Sequence, residues 1–376
     1  MKKKKLDKKK RLEVRKKDWS GEDEDYFSKD STRHTKAMVT LPDEDIDAQI
    51  PQDIQPNATV VSHSKKWAFV WIDNSETKEE ILCGISEKLR EKDESLIAPG
   101  DRVYVDYINQ KEPIIRWIFP RKSKLSRLSV DKDGPPEQVI AANVDILFIV
   151  ASVKQPPFRH RLIDRFLIVA QNGNVEPVIV LNKIDLADEI PQEINVYREL
   201  GIKLIFTSCV TKAGIDEVVE TLRGKTGVLA GHSGVGKTSL IKCILPDIDA
   251  VTKEISKKTE KGRHATNISK LYFLPNGGKI IDTPGIRALG LWKIDPEELD
   301  FYFSEFREFS TMCKFNDCSH THEPECAVRN AVKEGKISCS RYESYLRIRK
   351  SLEQCGITPG RFQVENIPLN TAQDLG

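Results

Sequence analysis

No apolar run in this chain approaches the ~18 residues that a membrane-spanning helix needs; the best stretch, VDILFIVA, is strand length. The lysine-rich start is not followed by an apolar segment, so no secretory leader is expected, and the chain is placed in the cytoplasm with no membrane partner. An excess of one charge is missing as well: the net charge is only +2. No internal repeat is visible, which argues against a solenoid. Cysteines number 8, but without a sign of export their thiols should stay reduced. They are therefore read as metal ligands or packed thiols rather than as a disulfide framework. What remains is a globular composition, 39% hydrophobic and 31% charged over 376 residues, long enough for two or three domains.

The small net charge hides a segregated one. MKKKKLDKKKRLEVRKK is strongly basic, and the acidic clusters GEDED and LPDEDID follow it. A segment this polar cannot offset its ordering entropy by burial, so residues 1–56 are expected to be a disordered charged tail. It could be a solvated end, an electrostatic arm for nucleic acid or an import signal. From ATVVSHSKKWAFVWID to Pro120 the pattern is short and alternating, with Gly and Asp at the turns. That predicts a small antiparallel β-barrel over residues 57–122. Trp67 and Trp71 are either its core or platforms for bases. RKSKLSRLSVDKDGPPEQ is polar, basic and proline-containing, so residues 123–137 are read as a linker.

Residues 138–296 alternate near-continuous apolar strands with amphipathic helices, the signature of a parallel sheet covered on both faces. Asn276-Gly277-Gly278 interrupts the rhythm as a predicted hairpin turn. Residues 297–376 are expected to form a small, mainly helical, cysteine-rich domain with a helical extension.

Three motifs lie at predicted strand ends, the edge at which open α/β sheets bind ligands. In GHSGVGKTSL, Gly231, Gly236, Lys237 and Thr238 satisfy the phosphate-loop pattern between an apolar strand and a helix. Backbone amides from Gly231, His232, Ser233, Gly234, Val235, Gly236, Lys237, Thr238 and Ser239 would surround phosphate oxygens. Lys237 would bridge the β- and γ-phosphates as a catalytic group, and Thr238 would ligate Mg²⁺. In IIDTPG, Asp282 could hold the same metal through water, and the Gly285 amide could meet the γ-phosphate. In NKID, the Asp185 carboxylate can accept from guanine N1–H and its exocyclic amine together, which adenine cannot supply. Asn182 would orient the base and Lys183 would lie along it. TSC, with Ser208 and Cys209, would offer a backbone amide to the guanine oxygen. An ordinary GTPase carries the phosphate loop first; here the base reader precedes it. Domain termini often lie close together, so joining them and cutting elsewhere preserves the sheet. The order is that of a circularly permuted GTPase.

CKFNDCSHTHEPEC supplies Cys313, Cys318, His320 or His322, and Cys326, a tetrahedral donor set for one structural Zn²⁺. Spacing alone does not choose between the two histidines. The helix SRYESYLRIRKSL carries basic residues that either face RNA or form its solvated side.

With NKID, GHSGVGKTSL, GRHAT, IIDTPGIRALGLW and this cysteine motif in that order, residues 57 to 355 resemble the RsgA (YjeQ) family. That family comprises circularly permuted GTPases that assist maturation of the small ribosomal subunit. The resemblance implies an OB-like barrel, a P-loop GTPase domain and a zinc-binding domain. It also implies ribosome-stimulated GTP hydrolysis and contact with rRNA through the barrel and zinc domain; a monomer is expected. It favours His320 over His322 and matches His264 to the family's catalytic histidine. Ile286 stands where many GTPases place a water-orienting glutamine, so slow intrinsic turnover is expected. Ala265 and Asn267 depart from the family's threonine-rich stretch, leaving Thr266 as the second Mg²⁺ ligand with its register open by one. A competing reading is a nucleotide-gated rRNA-binding module in which hydrolysis is incidental. An ATP-dependent enzyme is disfavoured by Asp185.

Overall fold

The computed structural model describes residues 50–64, 67–73, 80–86, 89, 97–108, 112–128, 137–246, 269–283, 291 and 294–354. The tail reading therefore lies outside the described residues up to 49. Strands β1 (Ala58–His63), β2 (Trp67–Ile72), β3 (Glu80–Ile85), β4 (Arg102–Ile108) and β5 (Glu112–Ile118) form a closed barrel in the order β1-β2-β3-β5-β4. Alternation explains the core: Val103 and Val105 point inward with Val60, Val70, Cys83 and Ile115, while Tyr104 between them is only half-buried. One pairing differs from the antiparallel expectation. β3 runs parallel to β5, because closing five strands in this order brings two same-sense strands together.

The stretch read as a linker is partly a ladder. Strand β6 (Lys124–Leu128) pairs antiparallel with β7 (Glu137–Ala142). Its lysines and arginine masked the pattern, but Leu125 is 1% exposed and Ala141 and Ala142 are fully buried. This ladder ties the barrel to the next domain: the Ala142 amide donates to the Pro99 carbonyl at 2.9 Å. A Cβ on Gly100 would lie 2.1 Å from the Ala142 oxygen, so only glycine permits that approach.

The central sheet has the order β10-β9-β8-β11-β13-β12. Its strands are β8 (Ile146–Ser152), β9 (Glu176–Asn182), β10 (Lys203–Thr207), β11 (Thr226–Ala230), β12 (Lys270–Phe273) and β13 (Lys279–Asp282). All neighbours are parallel except β12 and β13, the predicted hairpin, turning at Gly277 with φ 81°. Successive β8 residues feed opposite layers. Leu147 and Ile149 meet helix α1 (His160–Asn172) through Ile163 and Phe166; helix α2 (Asn195–Glu199) adds Tyr197 to the same layer. Ile146, Phe148 and Val150 face α3 (Ile215–Thr221) and α4 (Lys237–Ile244).

The edge strand β12 is covered by the barrel, which removes an exposed strand edge. The Trp71 and Phe273 rings lie 4.3 Å apart, and the 9%-exposed Lys270 side chain pairs with Glu80 at 2.8 Å. Trp71, weighed as a platform for bases, is thus spent on packing.

Beyond the sheet, 3₁₀ turns at Pro296–Tyr302 and Ser304–Phe306 lead into α5 (Arg307–Ser310), α6 (Ala327–Lys333) and α7 (Cys339–Gln354). Phe303, Phe306, Tyr345 and Ile348 extend the α1 core layer into this module. A buried ion network joins the two. Arg341 on α7 donates to Asp164 on α1 at 2.6 Å and to Glu305 at 2.7 Å, and Tyr197 also donates to Asp164 at 2.7 Å. Asp164 is fully buried and Arg341 is 3% exposed. Arg341→Ala would strand that carboxylate, and we expect urea unfolding to show a loss of about 3–5 kcal/mol. A loss under about 1 kcal/mol would show that the network is not holding the module.

Candidate nucleotide site and metal centre

The ends of the parallel strands coincide in register: Ser152 pairs with Asn182, and Asn182 with Thr207. Three loops therefore leave the sheet at one level, beside the loop that follows β11. Asn182, 1% exposed, joins the two nucleotide motifs physically. Its amide donates to the Val235 carbonyl in the phosphate loop at 2.9 Å, while its Oδ1 accepts from Thr207 at 3.1 Å. The side chain expected to orient a base also clamps the NKID loop to the phosphate loop. Gly236, at φ 100°, makes the clamp possible: a Cβ there would lie 2.3 Å from the Asn182 amide nitrogen. Motifs 53 residues apart in the chain are in contact.

Asp185 is exposed at the rim, where a base could reach it. Its carboxylate accepts from the Ser208 hydroxyl, which in turn accepts from the Val210 and Thr211 amides at 3.2 and 3.1 Å. The TSC motif points only to the Ser208 backbone, but its hydroxyl orients the carboxylate. Lys183 takes the left-handed conformation (φ 63°) and donates to the Gln155 carbonyl in the loop after β8. Burial lowers its pKa, with Asp185 opposing the shift. No sequence motif marks the loop that holds Gln155.

In the phosphate loop, the Lys237 ammonium donates to the Gly231 and His232 carbonyls at 2.7 and 2.6 Å. Gly231 (φ 148°) leaves β11 where a Cβ would strike the Val150 oxygen at 2.2 Å. Gly234, Thr238 and Ser239 are exposed, with the latter two opening α4. Asp282 ends β13; burial raises its carboxyl and the Lys237 ammonium opposes that, which places the two charges near each other. His264, Thr266 and Gly285 lie outside the described residues.

At the second site, one donor atom each from Cys313, Cys318, His320 and Cys326 lies within 4.8 Å of the others. His320 is 2% exposed, whereas the His322 side chain is 84% exposed and lies outside the cluster. The His320 Nδ1 faces the sulfurs of Cys313 and Cys326 at 3.6 and 3.5 Å. Its Nε2 points to the Asp300 carboxylate at 3.6 Å, the outer partner that orients a metal-binding imidazole. Asp300, within PEELDFYF, carried no sequence signal. Burial pushes the Cys326 thiol up, but His320 and the Arg329 amide bring it down to about 7, favouring the thiolate a metal requires. Three sulfurs and one imidazole nitrogen fit a tetrahedral Zn²⁺. The Tyr342 and Tyr345 hydroxyls donate to the His320 and Ser319 carbonyls at 2.7 and 2.8 Å, so α7 braces this loop.

Comparison with known proteins gives one answer. Residues 118–292 match the family model described as RsgA GTPase. The Small ribosomal subunit biogenesis GTPase RsgA of Saccharophagus degradans is 40% identical over 310 residues, covering 80% of this chain and 88% of that one. The crystal structure of YjeQ from Thermotoga maritima superposes with a TM-score of 0.63 at 34% identity, over 79% of this chain and 98% of that one. YloQ, a circularly permuted GTPase, gives 0.62 at 28% identity, over 82% of this chain and 98% of the other. With the base loop clamped to the phosphate loop in reversed chain order, and with these relatives, the chain belongs to the RsgA family of circularly permuted GTPases.

Proposed function

We propose that this chain hydrolyses GTP to GDP and phosphate in late maturation of the small ribosomal subunit, and that the subunit stimulates the hydrolysis. The observation that supports this reading is the Asn182–Val235 hydrogen bond, which holds the NKID loop against the phosphate loop. Asp185, held by Ser208, accepts from the two guanine donors. The 208–209 backbone meets the guanine oxygen. Lys237 leaves its two carbonyl partners for the β- and γ-phosphate oxygens as the nucleotide enters. Thr238, Thr266 and Asp282 would hold Mg²⁺, which when bound spreads the charge of the β- and γ-phosphates. His264 orients the attacking water, in place of the glutamine that Ile286 replaces, and Gly285 senses the γ-phosphate.

Cys313, Cys318, His320 and Cys326 would hold one Zn²⁺, and four protein donors would make it structural. The barrel and the zinc module contact rRNA. On α7 the exposed Arg347 and Lys350 are suited to phosphates, whereas Arg341 is buried in its ion network. A cytoplasmic monomer belongs to the same proposal.

Steady-state GTP turnover with and without purified small subunits tests it. We expect stimulation of about tenfold or more, lost in His264→Ala. Equal rates would leave only a nucleotide-gated RNA-binding module.

A further inference from the structure

Two cysteine thiols near the NKID and phosphate loops play no part in the chemistry above, although the Cys209 backbone does. Cys209 lies in the TSC loop and Cys243 lies near the end of α4, the helix that the phosphate loop opens. The Cys243 thiol donates to the Cys209 carbonyl oxygen at 3.9 Å, and it lies close enough to push the Cys209 thiol up. The Cys209 sulfur also sits 3.8 Å from Asn182 Oδ1, and the Lys212 ammonium donates to the Cys243 sulfur at 3.1 Å. Both thiols are half-buried, in reach of a small reagent. The other described cysteines lack this arrangement: three form the metal cluster, Cys83 is fully buried and Cys339 is an isolated exposed thiol.

We propose that Cys209 and Cys243 form a reversible dithiol–disulfide pair, oxidised by low-molecular-weight disulfides such as oxidised glutathione, that controls the grip on guanine. In the first step the Cys243 sulfur, its proton lost to water, attacks one sulfur of the small disulfide. A Cys243 mixed disulfide forms and one small thiolate leaves. The Lys212 ammonium neutralises charge at the attacking sulfur. Cys209 then loses its proton to water and attacks the Cys243 sulfur, closing the protein disulfide and releasing the second small thiolate. Two protein thiols are oxidised and one small disulfide is reduced. The Lys212 ammonium at 3.1 Å assigns the first attack to Cys243, and Cys209, its thiol pushed up to about 11 mainly by burial, takes the second role.

Bonding brings the sulfurs to about 2.05 Å. Helix α4 is anchored by buried Leu240, Ile241 and Ile244, so the loop yields rather than the helix. Val210, next to Cys209, is 79% exposed and offers little resistance. The moving backbone is the one assigned to the guanine oxygen, so losing that hydrogen bond should weaken GDP binding roughly fivefold. Closure of the disulfide is independent of the functional reading; only this last consequence rests on it.

The test uses the full-length, zinc-loaded protein treated with oxidised glutathione. Free thiols are alkylated, linked peptides are mapped by mass spectrometry without reduction, and fluorescent GDP is titrated in parallel. We expect a Cys209–Cys243 linked peptide, weaker GDP binding restored by dithiothreitol, no zinc release, and no effect on GDP binding in Cys243→Ala or Cys243→Ser. Absence of the linked peptide while Cys339 is consumed overturns the pair. A linked peptide with unchanged GDP affinity overturns its control of the pocket. Failure of the reduced protein to bind GDP refutes the functional reading and leaves the peptide result standing.

Discussion

Asp185→Asn should weaken GTP binding by about 100-fold and open the pocket to xanthosine triphosphate. In the proposed complex the carboxylate accepts from two guanine donors, and each hydrogen bond to a charged acceptor is worth about 1.5–3 kcal/mol. Losing that pair costs about 3 kcal/mol at the low end of that range, or about two decades in affinity. An asparagine offers one acceptor and one donor, which suits xanthine because its extra carbonyl needs a donor. The Ser208 hydroxyl that holds Asp185 can hold an amide oxygen as well, so the loop should stay in place. Competition titrations with GTP, XTP and ATP check this. If ATP bound the unaltered protein as tightly as GTP, the base assignment would be wrong.

The second large effect concerns the metal. Removing zinc by chelation, or replacing Cys326 with Ser, should cost the C-terminal module more than about 3 kcal/mol. Structural zinc in small domains supplies folding free energy directly, about 10–16 kcal/mol in zinc-finger peptides. The cluster brings together chain separated by 13 residues, and its loop packs on α7 through Tyr342 and Tyr345. Amide exchange over residues 339–354 should therefore accelerate at least 100-fold on zinc loss. His322→Ala should keep the metal, His320→Ala should lose it, and Asp300→Ala should weaken it by about 10–100-fold. Retention of zinc by His320→Ala would remove that ligand from the set.

These two predictions rest on features that local chemistry made readable. NKID, the phosphate loop, DTPG and the cysteine cluster each combine residue types that few other tasks require, at the end of a strand or within one loop. The parallel sheet was readable too, because β8 to β11 are buried on both faces and so carry unbroken apolar runs. Features that depend on distant partners were not. RKSKLSRL read as a polar linker because its lysines and arginines outnumber Leu125, the residue that is buried in the ladder. Arg341 resembled every other base on its helix until Asp164, 177 residues upstream, arrived beside it. Trp71 could be core or base platform until Phe273 settled it. Asn182 sits inside a recognisable motif, yet its clamp on Val235 follows from how the strands align, which no short motif encodes.

The permutation has a mechanical corollary in this arrangement. The strand that follows residues 247–268 is β12, which carries the Lys270 and Phe273 contacts to the barrel. The chain after Asp282 leads into the module that carries the Cys/His cluster. Each flanking domain is thus attached just downstream of one segment assigned to sensing the nucleotide.

All of this rests on one molecule of guanine nucleotide spanning two loops encoded in reverse order. A crystal structure of the GDP complex tests that most directly. A single nucleotide is expected, with its base edge on Asp185 and its β-phosphate at Lys237. Phosphates in the loop with the base turned away from Asp185 would contradict it.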